Sequence, residues 1–396
     1  MDINTLNGER SNECIKKMKK NQDKYSSVFS EYYFHMFQES GSNLYKRKSE
    51  NISSCFKIQT WDKYNLNKIM DNTAHFRCRN RFCVNCQILI NSYHVWKLKP
   101  KLKELQAEGF VPYFLTLTVP NCKFTELNST VKYMNACYRK LFEKLNYDDK
   151  RAFKLRYMKV YGSVKVLEVS VNKEKKEFHP HFHILLLLMP DESDEKYLDA
   201  NIQGRYSYNK NSYNYHSLFS IQIMKLWSMV YYKKSITKKS YSNWSDDPAY
   251  KELNDDGSIK YTNLEINLVP FRDKKNVDGK ILDNNSAFLE LLKYTVAFDD
   301  ITTYEIFFHL EKQLSHLRRL QCNGILTGLL NDISEDDADT IGEIQDLILE
   351  IKEDPQDCKT EDLQELYTTY ESFRKLYRKN THYDREFLNH SSNEIS

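Results

Sequence analysis

The chain has 396 residues, of which 40% are hydrophobic and 13% aromatic, enough for a packed core and two or three domains. No apolar stretch approaches the roughly 20 residues that a membrane-spanning helix needs, and the polar N-terminal segment has no signal-peptide pattern. We therefore expect a cytoplasmic protein with no membrane partner, whose nine cysteines are thiols or metal ligands rather than disulfides.

The net charge of +3 hides an asymmetry along the chain. Residues 331–396 contain 18 acidic and 7 basic residues, a net charge of −11, so that residues 1–330 carry +14. A basic body rich in aromatic residues suits a polyanion such as DNA, because the aromatic rings can stack on unpaired bases.

In chain order, a polar N-terminal arm, helical or flexible, is predicted for residues 1–50, and a cysteine-rich segment follows over 51–108. Cys78, Cys83 and Cys86 form a C-x4-C-x2-C cluster, and Cys55 lies upstream. A C-x2-C pair presents two thiolates to one tetrahedral ion, and a distant residue completes the site. Either Cys55 or His75 could be the fourth ligand of a structural zinc. Three arginines interleave the cluster and could contact phosphates: Arg77, Arg79 and Arg81.

A third segment, 109–300, alternates strand-like and helix-like runs. Residues 111–119 are predicted to form a central strand and residues 125–145 an amphipathic helix. Residues 216–235 fit a helix, and 259–270 an edge or final strand. The polar stretch 191–214 reads as a loop. Residues 301–330 are predicted to continue as a helical extension, and the acidic tail 331–396 to form two short helices.

A hairpin is predicted between residues 163–171 and 181–189, joined by a polar turn. His181 and His183 then share one face of a strand, because successive strand side chains alternate. If the hairpin folds about the middle of its turn, Glu168 lies opposite His181. Two imidazoles and a carboxylate would then converge on one point, which can hold a divalent cation.

A helix over residues 286–298 is predicted to carry Glu290 and Tyr294 one turn apart on the same face. A tyrosine phenol is a poor nucleophile at neutral pH unless a cation stabilises the developing charge. A carboxylate one turn away could act as a general base toward water.

These blocks, in this order, resemble the rolling-circle replication initiators (Rep proteins) of small plasmids of Gram-positive bacteria, within the HUH endonuclease superfamily. FLTLTVPN (114–121), EVSVNKEKKEFHPHFHILL (168–186) and ELLKYT (290–295) are similar to the first, second and third motifs of that family. The spacing of the cysteines is similar too. The correspondence spans roughly residues 45–330.

The resemblance implies an α+β fold: a central antiparallel sheet with flanking helices, a cysteine-rich zinc-binding segment and a helical C-terminal region. It implies site-specific cleavage of single-stranded DNA at a plasmid origin through a 5′-phosphotyrosine on Tyr294. Mn²⁺ or Mg²⁺ would be held by His181, His183 and Glu168, and Glu290 would activate water in termination. Phosphate contacts are expected from Lys293 and His179.

The implied partners are single-stranded or hairpin origin DNA, a host helicase and a host DNA polymerase, with a homo-oligomer also compatible. Two other functions remain open on the sequence. A relaxase or single-strand transposase can use the same histidine and tyrosine chemistry. A zinc-containing DNA-binding regulator without catalysis would explain the charge and the cysteines, but not Glu168, the histidine pair or Tyr294.

Overall fold

The structure is a computed structural model. It describes the following residues: 25–55, 59–60, 74–75, 78–146, 158–192, 194–198, 205–209, 212–215, 217–242, 251–253, 259–261, 266–271, 286–293 and 295–330. These residues form two compact units. The first contains those up to Trp96 together with Phe298–Tyr304, and the second contains Lys97–Ala297 and the residues from Glu305 onward. None of the described helices is long and apolar enough to cross a bilayer.

The first unit is built on helices. Its elements are α1 (25–40), α2 (Asn43–Ser54), the strands β1 (Gln59–Thr60) and β2 (Ala74–His75), and the beginning of α3 (Val84–Ala107). Residues of α1 spaced three and four apart are buried, which gives the helix one apolar face. These residues are Tyr25, Phe29, Tyr33 and Met36. Gly41, with φ of 66°, donates its N–H to the Phe37 carbonyl and ends α1 in the left-handed conformation that glycine adopts without strain.

The second unit contains a six-stranded antiparallel sheet. Its strands are β3 (Val111–Thr118), β4 (Cys122–Lys123), β5 (Val160–Asn172), β6 (Glu177–Leu188), β11 (Ile266–Pro270) and β12 (Leu320–Gly324). The strand order is β11-β3-β6-β5-β12, and β4 pairs with the start of β6. The α+β fold with a central antiparallel sheet is therefore confirmed, and β11 lies at one edge, as the sequence predicts.

Helices and short strands surround this sheet. They are α4 (Leu127–Asn146), α5 (Glu195–Leu198), β7 (Arg205–Asn209), β8 (Ser212–Tyr215), α6 (Leu218–Tyr231), α7 (Lys238–Ser242), β9 (Lys251–Leu253), β10 (Ile259–Tyr261), α8 (Ser286–Leu291) and α9 (Tyr304–Leu314). Tyr138 of α4 packs edge-on against Phe182 of β6, so α4 covers the sheet face that carries Phe182. The histidines of β6 point to the opposite face.

Two helix predictions are wrong in part. Residues 320–324 do not continue a helix but form β12 at the edge of the sheet, paired with β5. Gly324, with φ of 62°, lies so close to the backbone of Tyr161 that a Cβ atom would clash with it, which explains the glycine there. The helix predicted over 286–298 ends at Leu291.

Other predictions have mixed outcomes. The stretch predicted as a polar loop over 191–214 contains α5, β7 and the first part of β8. The acidic tail 331–396 lies outside the described residues, so its helices stay a prediction. The domain boundaries drawn from the sequence also stay predictions.

Candidate metal centres and active site

The β5–β6 hairpin brings together the acidic and histidine side chains that the sequence singled out. Glu168 lies directly opposite His181 in the register of the two strands, as predicted. His183, two residues along β6, shares the face of His181. The turn is tight, with Asn172 paired to Glu177, and this register follows from folding the chain about the middle of the polar link.

One carboxylate oxygen of Glu168 is the centre of this group. Oε2 lies 3.1 Å from Nε2 of His181 and also contacts Nε2 of His183. One potential ligand atom from each of the three side chains lies within 4.8 Å of the other two. Two imidazole nitrogens and a carboxylate oxygen form a donor set suited to a divalent cation. The three side chains, which we call the Glu-His-His group, could therefore hold a metal ion.

The second ring nitrogen of each histidine is also engaged. Nδ1 of His181 lies 3.2 Å from the backbone carbonyl of His179, and Nδ1 of His183 lies 3.5 Å from Oγ1 of Thr116 on β3. Without an ion, the Nε2–H of each neutral ring can donate to Glu168. A bound ion would need the Nε2 electron pair, and the single proton of each ring would then lie on Nδ1, where these oxygens can accept it. These outer contacts fix the ring orientation before any ion binds.

The electrostatics of the group keep Glu168 and His183 deprotonated. Burial opposes ionisation of Glu168, but hydrogen bonds from His181 and His183 and the charge of Lys293 outweigh it and hold the pKa of that carboxyl well below its usual range. Burial lowers the pKa of His183 despite the nearby carboxylate. Since metal ligands must be deprotonated, both shifts favour cation binding at neutral pH.

Lys293 connects the Glu-His-His group to Glu290. Its Nζ lies 3.0 Å from Oε2 of Glu168 and 2.8 Å from Oε1 of Glu290. Burial would lower the pKa of Lys293, but the charges of the two carboxylates outweigh burial and raise it. Because α8 ends at Leu291, the predicted helix that carries both Glu290 and Tyr294 is not formed; the position of Tyr294 itself lies outside the described residues.

Four cysteine side chains form a second cluster, in the first unit, which we call the four-cysteine group: Cys55, Cys78, Cys83 and Cys86. Sγ of Cys55 lies 3.6 Å from Sγ of Cys83 and of Cys86, and Sγ of Cys78 lies 3.8 Å from Sγ of Cys86. A tetrahedral ion with bonds of about 2.3 Å to four thiolates separates the sulfurs by roughly 3.8 Å. The spacing and the donor atoms of the four-cysteine group therefore fit a zinc ion.

Local structure explains how the four-cysteine group assembles. Cys55 ends α2, and the pairing of β1 with β2 returns the chain so that the backbone N–H of Cys78 donates to the Cys55 sulfur. Cys83 immediately precedes α3, and Cys86 lies in its first turn. Hydrogen bonds among the sulfurs raise the pKa of Cys55 and Cys83 and lower that of Cys86.

The remaining predicted site residues are placed as follows. Cys55 joins the other three cysteines; the side chain of the alternative ligand, His75, and all of Arg77 lie outside the described residues. Arg79 is exposed, with a left-handed φ of 51°, and Arg81 is half-buried. The ring of His179 is 5.5 Å from that of His181, and burial together with the charge of His181 lowers the pKa of His179.

Two contacts in the second unit were missed from the sequence. Thr116 lies on the predicted strand 111–119, but only the pairing of Thr116 with His183 across β3 and β6 shows that its hydroxyl lies beside a histidine ring. Lys293 lies between two carboxylates, a contact that the sequence did not predict, and its phosphate contact stays a prediction.

Comparisons with known proteins point to a replication family. Residues 69–218 match the family model of replication proteins. "Protein rep" of Bacillus amyloliquefaciens is 28% identical over 165 residues, which cover 41% of this chain and 45% of the relative. "Protein rep" of a Bacillus species is 29% identical over 161 residues, 40% of this chain and 48% of the relative.

"Protein rep" of Staphylococcus aureus is 30% identical over 112 residues, 28% of this chain and 44% of the relative. The chain thus spans less than half the length of each of these relatives. No solved structure shows a significant match. The family model, which covers residues 69–218, and the relatives agree with the motifs read from the sequence and confirm the resemblance of this part of the chain to Rep replication proteins.

Proposed function

We propose that the chain is a metal-dependent nicking and closing endonuclease that starts rolling-circle replication at a plasmid origin. The observation that carries the proposal is the Glu-His-His group, in which Glu168, His181 and His183 converge from two adjacent strands. The resemblance of residues 69–218 to replication proteins supports DNA as the substrate of this chemistry. The HUH endonuclease fold is part of the same proposal.

The Glu-His-His group is a less selective match to Mn²⁺ or Mg²⁺ than the four-cysteine group is to zinc. These ions prefer oxygen ligands, which Glu168 supplies, and they also accept the imidazole nitrogens of the two histidines. Such an ion would withdraw electron density from the scissile phosphate. The two histidines are already oriented by Thr116 and the His179 carbonyl. Lys293, with its ammonium group beside Glu168, adds a positive charge that a phosphate oxygen can contact.

Tyr294 is the proposed nucleophile. Its phenol oxygen attacks the phosphorus in line with the 3′ oxygen and loses its proton, while the phosphorus–3′-oxygen bond breaks and the departing 3′ oxygen takes up a proton. The products are a 5′-phosphotyrosine on the chain and a free 3′-hydroxyl. That hydroxyl primes synthesis by a host polymerase, with a host helicase opening the duplex.

Glu290 is the proposed base for termination. It accepts a proton from a water molecule whose oxygen attacks the phosphate of the regenerated origin, and the 3′ oxygen leaves with a proton. The released 3′-hydroxyl then loses its proton and attacks the phosphorus of the phosphotyrosine. The bond from phosphorus to the Tyr294 oxygen breaks, that oxygen takes up a proton, and the circle is closed. Lys293 holds the carboxylate of Glu290 near the Glu-His-His group, which supports this role.

Structural zinc in the four-cysteine group is proposed to hold the segment that carries Arg77, Arg79 and Arg81, which would contact the phosphates of the origin. His179, beside the Glu-His-His group, is a further proposed DNA contact. Because such contacts release counterions, DNA affinity is expected to fall steeply with salt.

The nucleophile is tested with purified chain, Mn²⁺ or Mg²⁺, and overlapping single strands that tile the DNA flanking the gene. We expect one strand to be cut and to become linked to the protein, and Tyr294→Phe to abolish the adduct. Tyr161→Phe, at the start of β5, is the matched control. Adduct formation by Tyr294→Phe would overturn the nucleophile assignment. Strands of unchanged length with the native chain would favour the non-catalytic DNA-binding protein.

The role of Glu290 is tested with the same strand. Glu290→Gln preserves the size of the side chain and is expected to form the adduct but to release little hydrolysed product. Normal hydrolysis by this variant would contradict the assignment of Glu290 as the base.

A further inference from the structure

The chain on both sides of Tyr294 is held by hydrogen bonds to its backbone carbonyls. Before it, Nη2 of Arg319 donates to the carbonyl of Leu292 at 2.6 Å and to that of Lys293 at 2.7 Å. After it, the carbonyl of Thr295 accepts a hydrogen bond of 2.6 Å from the backbone N–H of Val169 in β5. The residue that bears the phenol is thus bracketed by three anchored carbonyls.

Arg319 replaces the hydrogen bonds that the end of α8 lacks. The last carbonyls of a helix have no partner within the helix, and a cation near them is favourable. Leu292 still donates its N–H to the carbonyl of Phe288, but the helix ends there. A charged donor that satisfies two successive carbonyls fixes the direction in which the chain leaves α8.

Arg319 and Thr295 are both hydrogen-bonded to the backbone of β5, the strand that carries Glu168. The carbonyl of Arg319 accepts a hydrogen bond of 2.8 Å from the N–H of Leu167, and Val169 holds Thr295. Leu167 and Val169 flank Glu168 on the two sides. The backbone around Tyr294 is therefore tied, by two short routes, to the residues next to the carboxylate of the Glu-His-His group.

From this we infer that Arg319 is a positioning residue, which fixes the backbone of Tyr294 relative to Glu168, His181 and His183. The inference rests on the proposed function of Tyr294 as nucleophile. An in-line attack requires the phenol oxygen within a few tenths of an ångström of one line, and a misplacement of about 1 Å can cost on the order of 100-fold in rate. A loosely held loop would not meet this requirement.

Arginine suits the position better than lysine. One terminal nitrogen of its rigid, planar guanidinium reaches both carbonyls, and that geometry is fixed in advance. A lysine at 319 keeps the charge but presents a single ammonium on a flexible stem. Arg319→Lys should therefore restore only part of the anchoring, and Arg319→Gln less.

Two measurements on the full-length chain separate anchoring from chemistry. Hydrogen exchange is expected to become faster at the Val169 amide and in a peptide covering 290–297 in Arg319→Gln. At saturating single-stranded DNA, taken as the strand that the native chain cuts among those flanking the gene, the rate of adduct formation is expected to fall about 10- to 100-fold. For Arg319→Lys, both the exchange rate and the rate of adduct formation should lie between those of the native chain and those of Arg319→Gln. In both Arg319 variants, the DNA concentration that gives half the maximal rate should stay unchanged, because Arg319 binds backbone carbonyls of the chain and is not proposed to bind DNA.

Arg318→Gln is the matched control, since it removes the same charge from the exposed neighbouring position. Its exchange and its adduct rate should equal those of the native chain. If Arg319→Gln reacts at the native rate, or shows native exchange at Val169 and 290–297, the positioning role is wrong. If the native chain forms no adduct with any strand, the proposed function itself has failed. The inference about Tyr294 then falls with it, whatever the exchange shows.

Discussion

The four-cysteine group and the Glu-His-His group are both built from ligands on separate segments, yet they differ in how completely they surround an ion. The four-cysteine group offers four thiol sulfurs at tetrahedral spacing, and Cys55, Cys83 and Cys86 are buried. The Glu-His-His group offers three ligands, with Glu168 only half-buried and Lys293 beside it.

A closed set of four ligands is typical of structural metal sites, and an open set of three is typical of catalytic ones. A closed set of four protein ligands leaves no position for a substrate, whereas three ligands leave a position that a phosphate oxygen can occupy. The surroundings agree with this division. Sulfur atoms contact one another in the first unit, while in the second a lysine and a further carboxylate, Glu290, lie next to the ligands.

The largest expected effect is on the stability of the first unit. Structural zinc in small domains contributes about 10 to 16 kcal/mol of apparent binding free energy. Cys86→Ser, or treatment with a strong chelator, should therefore unfold this unit, as measured by loss of bound zinc and of helical circular dichroism. Cys137→Ser, which alters a buried cysteine outside the group, should change neither. Freshly purified native chain without zinc would contradict the assignment.

The second largest effect should appear in catalysis without unfolding. His183→Ala removes one ligand of the Glu-His-His group, and the rate of DNA cleavage should fall by about 1,000-fold, several kcal/mol of barrier. The thermal unfolding midpoint should change little. His179→Ala, next to the group but outside it, should lose less than about tenfold. Equal losses of cleavage rate in the two variants would contradict the assignment of His183 as a metal ligand and of His179 as a residue outside the metal group.

The free energy of unfolding of the second unit should also depend on pH, through a group that lies away from both candidate metal groups. Lys165 of β5 is buried on the face opposite the Glu-His-His group, with its ammonium 4.4 Å from the ring centroid of Phe182 and 4.6 Å from that of Tyr138. Burial lowers the pKa of Lys165 to about 7. The unfolded value is about 10.4, so between pH 7 and 10 the unfolded chain binds more protons and stability rises with pH.

Lys165→Met should therefore raise the free energy of unfolding at pH 6 by about 2 to 4 kcal/mol, and the gain should vanish toward pH 10. Urea unfolding curves at pH 6, 8 and 10 measure this. Lys159→Met, an exposed position just before β5, is the control and should show no such slope. If Lys165→Met gains more unfolding free energy at pH 10 than at pH 6, the buried ammonium is not the cause of the pH dependence.

The smallest effect tests the orientation of a ligand. Thr116→Val removes the oxygen beside Nδ1 of His183, and the affinity for Mn²⁺ should weaken about tenfold, as for other outer contacts of metal ligands. Thr118→Val changes the same residue type on the same strand face, but opposite His181, and should leave the affinity unchanged. Titration calorimetry with Mn²⁺ distinguishes the two variants.

Much of this arrangement could be predicted because it depends on short-range patterns. Strand alternation placed His181 and His183 on one face, and the short turn set the register that pairs Glu168 with His181. Helical spacing identified the buried face of α4, which carries Val131, Met134, Tyr138, Leu141 and Leu145.

The errors arose where distant segments override local preference. The helical pattern around Arg318 and Leu320 favoured a longer helix, but the free edge of β5 pairs with residues 320–324 and makes them a strand. The helix carrying Glu290 was predicted to continue to residue 298. It ends at Leu291, where Arg319 binds the next two carbonyls.

By itself, then, the sequence determined three of the four cysteines, the members of the Glu-His-His group, the pairing of Glu168 with His181 and the resemblance to replication proteins, because these depend on residue type, spacing and the period of a strand. Only the tertiary structure decided that Cys55 completes the four-cysteine group, that Lys293 bridges two carboxylates, and that Arg319 holds the chain next to Tyr294. Those contacts join separate segments of the chain, and no local periodicity encodes which distant side chain reaches a given atom.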